Sequence, residues 1–116
     1  MTNQLTGNFI ATDQGLSVGG FAIAELCAAN QDRGPFYLYD GAWVDAQYEA
    51  LDKAFKATYP HGHQISYAVK ANDAMAILKR LAAAGAGADI RSDKLCNRVG
   101  PHSIVRTASD SIIYEP

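Results

Sequence analysis

Cysteine, proline and runs of like charge are scarce in this chain, and each scarcity excludes something. Its 116 residues hold two cysteines and four prolines, and ten Lys+Arg stand against twelve Asp+Glu, for a net charge of −2. Phosphate-backbone binding needs clustered Lys and Arg, and no basic run exists, so no nucleic-acid partner is expected. The longest apolar stretch, residues 21–29, is broken by Glu25 and is far too short to span a bilayer, so no membrane partner is expected either. Residues 1–8 carry neither a basic segment nor an apolar one, and no signal peptide is visible. Cys27 and Cys96 fit no metal spacing and no redox motif, and are expected as the reduced thiols of a cytoplasmic protein, Cys27 packed in its helix. What the chain does have is an ordinary globular composition, 48% apolar and 19% charged with ten glycines, enough for one domain with a real core.

Along the chain, residues 8–20 read as a short hairpin. Phe9 and Ile10 lead into Thr12-Asp13-Gln14-Gly15, and Leu16 to Val18 return before Gly19-Gly20. A short helix fits residues 21–29. Phe36-Tyr37-Leu38-Tyr39 is a strand by aromatic content. Val44, Tyr48, Leu51 and Phe55 recur at helical steps after Asp40, a fair N-cap, and Tyr59-Pro60-His61-Gly62 stops that helix. Trp43, Tyr48 and Phe55 are expected in the core. Residues 65–70 read as a strand and 73–84 as a second helix, capped by Asn72 or Asp73 and ended by Gly85. Residues 86–91 form a further short strand. Strand, helix and strand with tight links define a parallel α/β fold. After Ser92 the pattern weakens, with strand character only at Ile104-Val105 and Ile112-Ile113-Tyr114.

The chemistry concentrates in Ile65-Ser66-Tyr67-Ala68-Val69-Lys70-Ala71-Asn72. Strand alternation puts Ile65, Tyr67 and Val69 on the face that helices cover, and Ser66, Ala68 and Lys70 on the other. Two small residues lead to a lysine at the strand's C-terminal end, where parallel α/β folds build their sites. A lysine at such a mouth loses its proton more readily than in water and can then bond a carbonyl carbon. On pattern alone, a strand-end lysine reaching solvent explains the same residues. His61 and His63 lie two apart in a Pro/Gly turn without carboxylate or cysteine partners, and read as turn residues rather than metal ligands. Gly85-Ala86-Gly87 is better explained as a helix C-cap entering a strand than as a phosphate loop.

Tyr67-Ala68-Val69-Lys70-Ala71-Asn72 resembles the pyridoxal-phosphate lysine motif of the fold-type III decarboxylases. That group comprises the diaminopimelate, ornithine, arginine and related amino-acid decarboxylases, with alanine racemases more distant. The flanks are similar as well. Gly34-Pro35-Phe36-Tyr37-Leu38-Tyr39-Asp40 resembles the strand before the family's first long helix, and residues 76–90 resemble the helix and strand after the lysine. The resemblance runs from Phe9 to about Ser92, roughly seven tenths of the chain.

The resemblance implies the N-terminal part of a (β/α)8 barrel, incomplete and preceded by a short β hairpin. Residues 1–35 would join the family's β-domain, 36–92 would open the cofactor-binding barrel, and 93–116 would be a diverged tail. Lys70 would hold pyridoxal 5'-phosphate covalently, Ala68 would lie beside it, and Asp89 would stand near its ring as the family's acidic residue. As a loop aspartate, Asp89 would instead cap or solvate a strand end. The implied reaction is decarboxylation of a basic or dibasic amino acid, most of all diaminopimelate in lysine biosynthesis, by a homodimer. Ornithine or arginine decarboxylases and alanine-racemase-like enzymes are the alternatives.

Departures from the family pattern begin at Ser92. Leu95 stands where a glutamate would open the next helix, and Pro101-His102-Ser103-Ile104-Val105 follows too soon for that helix to fit. A full barrel needs about 250 residues. The phosphate-binding loop, catalytic cysteine and C-terminal β-domain of the family have no counterpart in these residues. The expectation is a truncated piece, inactive by itself. A rival from another class is a non-catalytic relative that acts by binding a partner.

Overall fold

The computed structural model describes residues 3–4, 8–89 and 112–115, and the chain divides into two units, 1–43 with 110–116 and 44–109. Helices and short strands of both sheet types give a mixed α/β chain.

The first unit opens with an antiparallel meander. Strands β1 (Asn3–Gln4), β2 (Phe9–Thr12), β3 (Gly15–Val18) and β4 (Phe21–Ala22) pair in sequence order. Thr12 Oγ1 accepts the Gln14 N–H and donates to the Gly15 carbonyl, so the β2–β3 turn is fixed by its own side chain. Between β3 and β4, Gly19 and Gly20 both take positive φ, 57° and 84°, which a two-residue hairpin of this twist requires. That turn explains a departure from expectation. Phe21 and Ala22 pair with Val18 and Ser17 as a strand, and helix α1 begins only at Ile23 and ends at Ala28. Val18 and Leu26 are the buried apolar residues of this unit, and the buried Asn30 donates to the Leu26 carbonyl at 2.8 Å. Cys27 is exposed rather than packed, because it follows Leu26, the buried residue of a six-residue helix, and is turned about 100° from it.

Strand β5 (Tyr37–Asp40) pairs antiparallel with β8 (Ile112–Glu115), Tyr37 opposite Glu115 and Asp40 opposite Ile112. An antiparallel ladder here departs from the all-parallel opening of a barrel. An apolar, β-branched segment suits an open strand edge, and Ile112-Ile113-Tyr114 is such a segment. Ile104-Val105 and Cys96 lie outside the described residues.

Helix α2 (Gly41–Thr58) starts where Asp40 is in place to cap it, Oδ1 accepting the N–H groups of Ala42 and Trp43 at 2.9 and 3.2 Å. Asn8 also donates a hydrogen bond to the Asp40 carboxylate. The expectation of a buried stripe fails on α2. Trp43 is 37% exposed, Leu51 47% and Phe55 43%, with Tyr48 half-buried. Eighteen residues make a helix of about 27 Å. The three-residue strands that follow it span about 10 Å each, too little to cover its length.

The second unit is a strand–helix–strand turn. β6 (Ser66–Ala68) runs parallel to β7 (Gly87–Asp89), joined through a 3₁₀ turn at Val69–Ala71 and helix α3 (Met75–Ala84). Ala74, Ile77, Leu78 and Leu81, spaced as one helical face, are buried with Val69, which is fully enclosed. Each large aliphatic among them contributes about 1.5–3 kcal/mol on burial. The N-cap position of α3 is Ala74, not Asn72 or Asp73, although Asn72 Oδ1 still accepts the Ala74 N–H at 2.9 Å. Gly85 closes the helix in the left-handed conformation, φ 102°, with Ala86 N–H bonded to the Leu81 carbonyl. Arg80 grips Asp45 with Nε and a terminal nitrogen at 3.3 and 2.7 Å, fastening α3 to α2. No helix among the described residues is long and apolar enough to cross a membrane.

Candidate active site

The β6–β7 register decides what the candidate site looks like. Ser66 stands opposite Gly87 and Ala68 opposite Asp89. Residues paired in a parallel ladder point to one face, and the next pair on that face lies two residues on. Ser66, Gly87, Ala68 and Asp89 therefore share a face, three small residues leading to a carboxylate. A Cβ placed on Gly87 would lie 2.9 Å from both Ser66 Oγ and Gln64 Nε2, so the position admits little beyond glycine without a shift. The opposite face carries Tyr67 and leads into the buried Val69.

Lys70 is exposed and lies just past this floor, at the C-terminal end of the two parallel strands. It does not end the strand itself. The strand stops at Ala68, and Lys70 is the middle residue of the 3₁₀ turn. Tyr67 Oη donates to the Asn72 carbonyl at 3.1 Å, across that turn, and Asn72 Oδ1 receives Ala74 N–H beyond it. Asp89 is exposed at the end of β7. Lys70, Ala68 and Asp89 are thus gathered at one end of one parallel pair, and neither Lys70 nor Asp89 has an ion pair among the described residues. A primary amine beside a floor of small side chains fits a flat ring that carries an aldehyde. These residues could hold such a group.

The other end of the strands differs. A cleft of about 660 Å³ is lined by Tyr48, Asp52, Lys56, Tyr59, His63 and Gln64, with Ile65 and Gly85, which precede β6 and β7. His63 is not a plain turn residue. Its Nε2 lies 2.8 Å from Asp52 Oδ1, and its ring stacks on Phe55 with centroids 5.2 Å apart. Lys56 Nζ approaches Asp52 Oδ2 to 2.6 Å. The Lys56 hydrogen bond first, and His63 second, hold the Asp52 carboxyl below its ordinary value, while Asp52 raises the Lys56 ammonium. Among the described residues no group of three or more His, Cys, Asp and Glu could hold a metal. Sequence reasoning missed both the Tyr67–Asn72 bond and the His63–Asp52 contact. An aspartate on the polar side of α2, eleven residues before the histidine, was the available signal for the second.

Residues 42–115 match the pyridoxal binding domain of the pyridoxal-dependent decarboxylases, and the chain belongs to that family. Pyridoxal 5'-phosphate is the cofactor the family implies. A diaminopimelate decarboxylase of Vibrio cholerae is 44% identical over 70 residues, 60% of this chain and 16% of that protein. Diaminopimelate decarboxylases of Pseudomonas aeruginosa (37% over 91 residues) and Archaeoglobus fulgidus (33% over 85) match 78% and 73% of this chain, and 21% and 19% of their own lengths. The chain therefore spans about a fifth of the relatives it matches. No solved structure matches it significantly.

Proposed function

We propose that this chain carries the cofactor-lysine segment of a pyridoxal-phosphate-dependent decarboxylase acting on a basic or dibasic amino acid, most of all diaminopimelate. The observation that supports it best is the convergence of Lys70, Ala68 and Asp89 at the C-terminal end of a parallel pair. Three relatives that carry the name diaminopimelate decarboxylase favour that substrate over ornithine or arginine. In this reading residues 36–92 open a barrel, residues 1–35 belong with a β-domain, and the whole enzyme is a cytoplasmic homodimer.

Lys70 would bind the cofactor through Nζ, with Ala68 beside it and Asp89 near its ring. When bound, pyridoxal phosphate supplies an electron sink for the pair left behind as the carboxyl group departs as carbon dioxide. The chain's own contribution is attachment and placement. Ser66, Ala68 and Gly87 would keep the floor beside the ring low, and Asp89 would put a carboxylate near it. Phosphate anchoring and alignment of the scissile bond also contribute strongly to rate. None of the residues gathered at this site provides either function, so the 116 residues by themselves are expected to show no useful turnover.

Reductive trapping tests the reading. The chain is incubated with pyridoxal phosphate, reduced with borohydride and mapped by peptide mass spectrometry. The expected label is small in amount but falls on Lys70 ahead of Lys53, Lys56 and Lys79. Equal or lesser labelling of Lys70 would overturn the assignment. Release of carbon dioxide from diaminopimelate above a Lys70→Ala control would overturn the expected inactivity.

A further inference from the structure

Lys70 sits in a short loop whose two ends are tied to each other. Tyr67, the middle residue of β6, sends its side chain to the face opposite the small-residue floor. Its phenol nevertheless reaches the carbonyl of Asn72, five residues on, at 3.1 Å. Asn72 is held a second time, its Oδ1 accepting the Ala74 N–H at 2.9 Å. Between these ties runs the 3₁₀ turn Val69–Ala71, with Val69 at 0% exposure as its internal anchor and Lys70 exposed beside it. The backbone carrying Lys70 is therefore fixed before it, after it and from beneath. The phenol hydroxyl is the group that links the two ends directly.

We propose that Tyr67 is a positioning residue for Lys70, its hydroxyl clamping the turn so that the amine is presented over the Ser66–Ala68–Gly87 floor. The proposal rests on the reading of Lys70 as the cofactor lysine. It goes beyond that reading by giving a role to a side chain on the far face of the strand. Losing the clamp leaves Lys70 chemically intact but lets its backbone wander, so the cost falls on selectivity among lysines rather than on the ability to react.

The test uses the full chain with Tyr67→Phe, which keeps the ring and removes only the donor, and Asn72→Ala, which removes the second tie. One readout needs no cofactor: amide hydrogen exchange of peptides covering residues 68–73, compared with those of α3. The other is the ratio of borohydride-trapped pyridoxal label on Lys70 to that on Lys79, an exposed lysine of α3 that serves as internal reference. Loss of one hydrogen bond should speed exchange of the 68–73 segment, and lower the Lys70/Lys79 ratio, by about two- to tenfold. Exchange over Ile77–Leu81 should stay unchanged, and Asn72→Ala should move both readouts the same way. An unchanged label ratio in Tyr67→Phe would overturn the proposal, as would equal acceleration throughout α3, which means general loosening. If the unaltered chain shows no preference for Lys70 over Lys79, the cofactor-lysine reading fails and the proposal with it. If the preference exists and survives Tyr67→Phe, the reading stands and the proposal alone falls.

Discussion

The two ends of the β6–β7 pair hold the same charged residue types and use them in opposite ways. At the N-terminal end, Lys56 and Asp52 approach to 2.6 Å, with His63 on the other carboxylate oxygen. At the C-terminal end, Lys70 and Asp89 stand exposed, without an ion pair among the described residues. Local geometry accounts for the difference. Asp52 and Lys56 are one helical turn apart on α2 and meet without long-range help, as i,i+4 neighbours do. Lys70 and Asp89 are brought near by strand register, on backbone ends that aim side chains outward. Charges that neutralise each other at close range stabilise the fold, whereas charges left open at a strand mouth remain available to a ligand.

Exchanging the lysines gives the largest expected effect. Lys70→Ala should abolish the dominant trapped label, while Lys56→Ala should leave the label on Lys70 unchanged, both read by peptide mapping. Equal effects would erase the distinction between the two ends. Filling the floor comes next. Gly87→Val forces a branched side chain against Ser66 and Gln64, where a Cβ alone already lies 2.9 Å from each. A loss of about 1–3 kcal/mol is expected from such overpacking, measured by urea denaturation. Selective trapping at Lys70 should weaken as well, because the flat space above the floor is gone.

The smallest effect belongs to the paired end. Asp52→Asn removes the exposed ion pair with Lys56 and weakens the part-buried contact with His63, so its cost should be below that of Gly87→Val and should shrink in high salt. The pH dependence has a definite sign. Because the folded-state value of Asp52 is lowered from 3.8, its stabilisation is present above that value and lost as the pH falls through the lowered one. Lys56, raised from 10.5, contributes below that value and loses its contribution as the pH rises through the higher one. The difference in urea midpoint between the unaltered chain and Asp52→Asn should therefore be widest near neutrality and vanish in acid. A difference that persists in acid would mean the contact is not ionic.

Local rules made much of this legible from sequence. The Asp40 cap and the Gly85 stop follow from the chemistry of single residues at helix ends, and the structure places both there. Alternation separated the Ser66/Ala68 face from Tyr67 and Val69. Other features depend on partners far along the chain. Pairing of β5 with β8 joins residues more than seventy positions apart, and no local pattern encodes it. The exposure of Leu51 and Phe55 depends on how much structure covers α2, which periodicity cannot measure. Alternation puts Tyr67 on the covered face, and nothing in that pattern says where its hydroxyl reaches. The strand start at Phe21 was hidden by helical spacing, and only the two-glycine turn before it could have shown it.

The adjacency of Val69, fully enclosed, and Lys70, exposed, has a consequence for how this segment tolerates change. Side chains around the lysine can vary in size at modest cost, but their number cannot. One residue deleted between Ser66 and Val69 would shift Lys70 into the place of Val69, and one inserted there would shift Val69 into the exposed place of Lys70. A deletion would therefore drive the amine into the place of a fully buried valine, and an insertion would drive the valine toward water. A buried ammonium must either shed its proton or find a counter-charge. The short run from strand to helix thus acts as a ruler, and a single-codon insertion or deletion there should be more damaging than most substitutions at the same positions.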